Sequence, residues 1–174
     1  MPELPEVEVL RCHLNSLLTN KKLVSVDVLK LSVVRPEAPK LLQEKVVGCT
    51  IKGVGRKGKF LWLQLERRPS ESTFPLIIHL GMTGRLFIQQ SNKSLPKHTA
   101  VVFKLNREYL VFKDPRSFGR VTFDADCLGN LGVDALSSDF TEEMLASVIQ
   151  NTSQSVKARL MNQKHILKNL KLKI

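Results

Sequence analysis

Apolar residues first recur with a helical period. Val7, Val9, Leu10, Leu14, Leu17 and Leu18 predict an amphipathic helix that ends near the "TNKK" stretch. The pattern then changes to short runs rich in Val, Ile, Leu and Phe, separated by Gly, Pro, Asn and Ser. These predict strands over 23–31, 46–54, 59–65, 76–80, 85–89, 100–105, 109–112 and 120–124, with "LNRE" as the hairpin between Leu105 and Tyr109. A helical period returns after Gly132. In "SDFTEEMLASVIQ", Asp139 with Glu142 three places on resembles a capping box, and Met144, Leu145, Val148 and Ile149 follow at helical spacing. Another helix is predicted over 156–165, and the closing "ILKNLKLKI" fits a continued helix, a frayed end or an extended stretch equally.

Strands this close together, with almost no helical pattern between them, favour antiparallel pairing in a sandwich or barrel-like core. At 174 residues and 43% hydrophobic content, the chain has room for one full domain and a small appendage. No run approaches the roughly 18 apolar residues of a membrane span, and no basic region followed by a long apolar one opens the chain, so a cytosolic protein is expected. Cys12, Cys49 and Cys127 are far apart and never form C-x-x-C; reduced core thiols are expected, not a disulfide framework or a zinc ribbon.

Charge narrows the partners. With 27 basic and 16 acidic side chains the net charge is +11, and from Asn151 onward there are Lys and Arg but no acid. A polyanion is the simplest partner, because basic groups gain affinity by displacing counterions condensed on nucleic acid. One Trp, one Tyr and eight Phe are too few for a surface that stacks many single-stranded bases.

The opening "MPELPEVEVL" carries the first candidate chemistry. Proline suits the first turn of a helix and Glu3, Glu6 and Glu8 suit its positive end, which accounts for Pro5 and Glu6 but leaves Pro2 unexplained. Removal of Met1 would free a secondary amine at Pro2. An α-amino group has a pKa of about 7.7 to 8.0, well below that of lysine, so near neutral pH it is a usable nucleophile. Three further stretches stand out: "GRKGKFLWLQL", "HLGMTGRL" and "KDPRSFGR". Taken singly they read as a basic turn, a strand-end histidine in a satisfied core, and a surface turn.

Together with "PELPEVE", in this order and spacing, they resemble the formamidopyrimidine-DNA glycosylase family of base-excision repair. The resemblance runs from Pro2 through "VKARLMNQKHI" and implies an α+β fold: an antiparallel β-sandwich with an N-terminal helix, then a partial helical segment like a helix-two-turn-helix. It divides the chain into a catalytic sandwich domain over 1–134 and the start of a helical DNA-binding domain over 135–174. It also implies roles. Pro2 matches the family's Schiff-base nucleophile, Glu3 its acidic partner, and Lys59 the lysine that contacts phosphate at the lesion and serves the elimination step. His98, Arg116 and Lys164 match DNA contacts. Met82, Arg116 and Phe118 match the side chains that enter the duplex where the damaged nucleotide has left.

The sequence departs from the family pattern in places. After "QKHI" the glycine-rich turn is missing, Asn169 is not at the matching spacing, and the zinc-finger cysteines are absent, so no metal or other cofactor is expected. Ser153 stands at a usual basic DNA contact, and Ser117 replaces the second arginine of the common "DPRRFG". A frameshifted or a naturally shortened product are both consistent with this. The resemblance implies a DNA glycosylase for oxidised purines, formamidopyrimidines and 8-oxoguanine, with abasic-site lyase activity; damaged duplex DNA is the partner, and a monomer associated with the nucleoid, with no membrane contact, is expected. A non-catalytic DNA-binding remnant is the alternative, and an RNA-binding domain has only charge in its favour.

Overall fold

The computed structural model describes residues 3–129, 131–135, 137–150, 152–162 and 164–167. Helix α1 (Leu4–Leu18) starts where Pro5 presets the first turn and the Glu6 carboxylate accepts the Glu3 N–H at 2.7 Å. Its buried face is Leu4, Val7, Leu14 and Leu18. Next come β1 (Ser25–Val28), a 3-10 turn (Leu31–Val33), α2 (Pro39–Val46), β2 (Thr50–Lys57), β3 (Phe60–Glu66), β4 (Phe74–His79), β5 (Arg85–Gln89), β6 (Thr99–Lys104), β7 (Tyr109–Lys113) and β8 (Arg120–Thr122). The described remainder holds α3 (Asp126–Gly129), β9 (Val133–Asp134), α4 (Glu142–Ile149), α5 (Val156–Met161) and β10 (Ile166–Leu167).

Two four-stranded antiparallel sheets, ordered β2-β3-β4-β8 and β1-β6-β7-β5, make the expected α+β sandwich. Strand β3 shows why: Leu61, Leu63 and Leu65 point inward at period two and share one core with Val101, Phe103, Leu110 and Phe112 of the other sheet. Helix α1 packs on β2, where the register slips between Ile51 and Gly53, and the Val54 N–H donates to Asn15 Oδ1 at 2.8 Å. A bulge thus meets a helix side chain, which locks α1 to the sheet.

Several expectations are corrected. The stretch 46–54 is not all strand: Val46 closes α2, whose Leu42 and Val46 face the core at i, i+4. The first strand stops at Val28, and the chain then turns through Leu31–Val33. Thr141, not Asp139, caps α4, its hydroxyl accepting the Met144 N–H at 3.2 Å. Helix α5 ends at Met161, and Ile166 instead pairs in parallel with Val133. Of the cysteines, Cys49 is buried, Cys127 half-buried, and Cys12 exposed and thus not a core thiol.

Candidate DNA-processing site

The β2–β3 connection brings the first site residues together. Lys57 pairs with Phe60, leaving Gly58 and Lys59 as a two-residue turn, and Gly58 takes φ +58 in its first position, as a type II′ hairpin prefers. Lys59 thereby reaches the start of α1, where its Nζ lies 2.7 Å from the Glu3 carboxylate; both side chains are mostly covered. Pro2, bonded to Glu3 in the chain, lies outside the described residues.

Arg56 fixes this corner. Only 6% of its side chain is exposed, and it bridges Glu8 of α1 and Asp134 of β9, both at 2.5 Å, while donating to Gly58 O at 3.0 Å. Asp134 also accepts the Gly58 N–H at 3.2 Å. The Arg11 guanidinium, with Arg56 acting in the same sense, lowers the Glu8 pKa to about 2 against the opposing effect of burial. Lys164 is exposed beyond α5, and the β9–β10 pairing carries its segment beside Asp134. No direct bond joins Lys164 to the Glu3–Lys59 pair among the described residues.

A second set of site residues sits on two loops pressed against each other. A Cβ on Gly81 (φ +63) would lie 2.7 Å from the main chain at Phe118 and Gly119, so only glycine permits this contact. Met82 and Phe118 are exposed on these loops, at 43% and 54%, and Arg116 is exposed between them in sequence. Fully buried Asp114 organises both loops. It accepts the Gly119 N–H at 2.7 Å, the Arg116 N–H at 3.3 Å and the Thr83 hydroxyl at 3.2 Å. Exposed His98, at φ +68, joins the group through its main chain, its carbonyl accepting the Asp114 N–H at 3.0 Å.

His79 connects the two sets. It pairs across the sheet with Phe60, next to Lys59, its ring 4.5 Å from the Phe60 ring, and its Nδ1 accepts the Gly81 N–H at 3.3 Å. Burial pushes its pKa below the ordinary 6.5, and the charges of Arg120 and Lys59 act in the same direction. The reading as a satisfied strand-end histidine therefore fits. Sequence reasoning missed Arg56, Glu8, Asp114 and Lys30, whose ammonium reaches the 114–117 loop from behind. Asp114 was visible as part of an Asp-Pro turn, Arg56 only as part of "GRKGKFLWLQL" and Glu8 only as an acid near a helix start; nothing marked Lys30.

An apolar recess of about 540 Å³ is lined by Leu10, Leu80, Leu86 and Phe87 together with Glu6 and Lys113; none of the described candidate site residues lines it. Among the described residues, no three His, Cys, Asp or Glu side chains converge as metal ligands do. None of the described helices is long and apolar enough to cross a membrane.

In sequence and in fold the chain is similar to known proteins. The family model described as the formamidopyrimidine-DNA glycosylase N-terminal domain matches residues 1–121. The formamidopyrimidine-DNA glycosylase of Dechloromonas aromatica is 38% identical over 171 residues, covering 93% of this chain and 61% of that protein. That of Nostoc sp. is 35% identical over 175 residues, covering 94% and 62%. Among solved structures, wild-type Lactococcus lactis Fpg bound to N7-benzyl-Fapy-dG DNA superposes with a TM-score of 0.83 at 25% identity, covering 95% of this chain and 62% of that one. A complex of the same enzyme with abasic-site DNA matches equally. The chain thus spans under two thirds of the length of these relatives, and its fold, motifs and sequence make it a member of the formamidopyrimidine-DNA glycosylase family.

Proposed function

We propose that the protein is a base-excision repair enzyme, a DNA-formamidopyrimidine glycosylase that also cleaves abasic sites as a lyase. The observation that carries the reading is the Glu3–Lys59 pair, 2.7 Å apart beside the residue expected to supply the amine nucleophile. The relatives bear this name, and the solved neighbours hold N7-benzyl-Fapy-dG or abasic-site DNA.

A base inside a duplex hides its glycosidic bond, so the nucleotide must first leave the stack, at a cost of a few kcal/mol. Met82 and Phe118 serve as apolar wedges in the vacated space, and Arg116 donates to the orphaned base. The neutral Pro2 nitrogen then attacks C1′ and gives up its N–H proton, and the C1′–base bond breaks with its electron pair leaving on the base, which takes up a proton. Opening of the C1′–O4′ bond, with a proton delivered to O4′, leaves a C1′=N iminium. That cation acidifies C2′, whose proton departs to a base as the 3′ phosphate leaves. Glu3 serves as the acid/base group in these proton transfers.

Lys59 holds the phosphate and assists the elimination. A phosphate arriving at Lys59 competes with Glu3 for the ammonium, which couples DNA entry to release of the carboxylate. His98, Arg116 and Lys164 are the further DNA contacts.

Borohydride reduction on abasic-site duplex tests the reading. The protein is expected to be trapped covalently, with the adduct at Pro2, and a Pro2→Gly variant or a form retaining Met1 to trap far less. Equal trapping by all three would require another nucleophile. Duplex binding without trapping would instead favour a DNA-binding remnant, a reading supported by the exposed Ser153 where the family pattern carries a base.

A further inference from the structure

The loop carrying Arg116 and Phe118 is gripped from two sides. The Asp114 carboxylate collects its N–H groups, as described above. From the other side Lys30 Nζ collects oxygens: it donates to Asp114 O at 2.6 Å and lies 3.5 Å from Pro115 O and 3.3 Å from Ser117 Oγ. Three oxygens of one loop thus face the three donors of one ammonium.

Lys30 is itself well fixed. The N–H groups of Leu29 and Lys30 both donate to the carbonyl of Ala100, a fully buried residue of β6, at 2.8 and 3.0 Å. Among the described residues no carboxylate forms an ion pair with Lys30, so its charge is directed at uncharged acceptors of this loop. The loop needs such a fastener, because Ser117 stands at φ +56, a left-handed conformation that a non-glycine residue keeps only when its surroundings enforce it. Arg35, from the same segment as Lys30, adds a longer contact to Gly119 O at 3.4 Å.

We propose that Lys30 is a positioning residue for duplex insertion: it holds the outer half of the 114–119 loop so that Arg116 and Phe118 enter the DNA already oriented. The proposal rests on the reading above that these two side chains fill the vacated space. Ordering the loop before DNA arrives removes an entropic cost from the insertion step alone. Loss of the ammonium frees Pro115 and Ser117, so the loop opens more often around its one remaining anchor, Asp114, and base expulsion slows while chemistry at an exposed sugar does not.

Lys30→Met keeps the aliphatic stem and removes the donors, whereas Lys30→Arg keeps charge and donors. Amide hydrogen exchange of the free protein is expected to accelerate about tenfold at residues 116–119 in Lys30→Met, with β6 and β7 unchanged, and to stay within threefold of the parent in Lys30→Arg. On duplex carrying 8-oxoguanine beside 2-aminopurine, Lys30→Met should lower single-turnover excision about tenfold at saturating protein, with a matching loss of the unstacking signal. Cleavage of a preformed abasic site should change less than twofold, and Lys30→Arg should restore both losses. Unchanged exchange at 116–119 overturns the proposal whatever the activity, and so does equal loss on the two substrates, which would make Lys30 a support of the whole fold. If the parent protein traps on abasic DNA yet shows no unstacking, the insertion role falls and the lyase reading stands. If the parent neither unstacks nor traps, both fall together.

Discussion

At the Glu3–Lys59 corner the long-range ties between side chains are ion pairs: Lys59 to Glu3, and Arg56 to Glu8 and Asp134. The loop bearing Arg116 and Phe118 is held instead by main-chain N–H and C=O groups meeting one buried carboxylate and one lysine. The difference matches the roles proposed for the two regions. Charges that bind a carboxylate in the free protein can be handed to a phosphate, so the first corner is built to change partners. A wedge must keep its shape while the DNA deforms around it, and the buried Asp114 carboxylate holds the loop through N–H groups of the loop itself. On the proposed function, the corner assigned the chemistry is tied by ion pairs between side chains, and the loop assigned the insertion is tied through its own main chain.

The largest expected effect comes from breaking the second kind of tie. Asp114 is fully buried and serves three donors on two loops. Asp114→Ala leaves those donors without their acceptor and should cost about 3 kcal/mol of folding stability, since bonds to a charged acceptor are each worth about 1.5–3 kcal/mol and do not add fully. Urea denaturation measures it. Asp114→Asn keeps the shape but turns an amide NH2 toward one of these donors, and should fall between the parent and Asp114→Ala. A loss below about 1 kcal/mol in the alanine variant would mean that the loops hold each other without the carboxylate.

These two networks were unequally legible in the sequence. Glu3, Lys59, Met82, Arg116 and Phe118 were singled out through motifs, and β3 and β5 through short runs of Leu, Ile and Phe, which in β3 are buried at every second residue. Asp114 was visible only as part of a turn. Lys30 carried no signal at all, because its acceptors lie 84 to 87 residues further along the chain and two of the three are main-chain carbonyls, which any residue supplies. Helix α2 escaped because it buries only Leu42 and Val46, while exposed Leu41 and the following Val47, Cys49 and Ile51 blur its period into that of a strand. Local pattern reports the face an element buries; it cannot report a side chain whose partners arrive from another part of the fold.

The next effect breaks the electrostatic corner. Glu8 has its pKa lowered to about 2 from 4.5 by Arg11 first and Arg56 second. A depressed carboxylate contributes stability that is present above its unfolded value and lost as pH falls through the folded one, here between about 4.5 and 2. The full shift corresponds to about 3 kcal/mol, and partial exposure of Glu8 reduces the expected contribution to about 2 kcal/mol. Glu8→Gln should therefore be less stable than the parent by about that much at pH 7, and by about half as much at pH 3. A gap that stays constant across this range would show that Glu8 acts through packing. Borohydride trapping should fall in the same variant, because the hairpin presenting Lys59 loses its tie to α1.

The smallest change in free energy is the one that separates the two regions most cleanly. Met82 and Phe118 are substantially exposed, so Met82→Ala and Phe118→Ala should each alter folding stability by less than about 0.5 kcal/mol, as surface substitutions usually do. Their cost belongs to the DNA. Without an apolar group to fill the gap, the expelled base returns to the stack, and 8-oxoguanine excision from duplex should fall about tenfold, which is about 1.4 kcal/mol in the barrier. A preformed abasic site has no base to unstack, so its cleavage should fall less than threefold. Single-turnover assays on the two duplexes, at protein concentrations saturating for each variant, give the ratio directly. A ratio near one would place Met82 and Phe118 among general DNA contacts, and the division between a chemical corner and a mechanical loop would no longer hold.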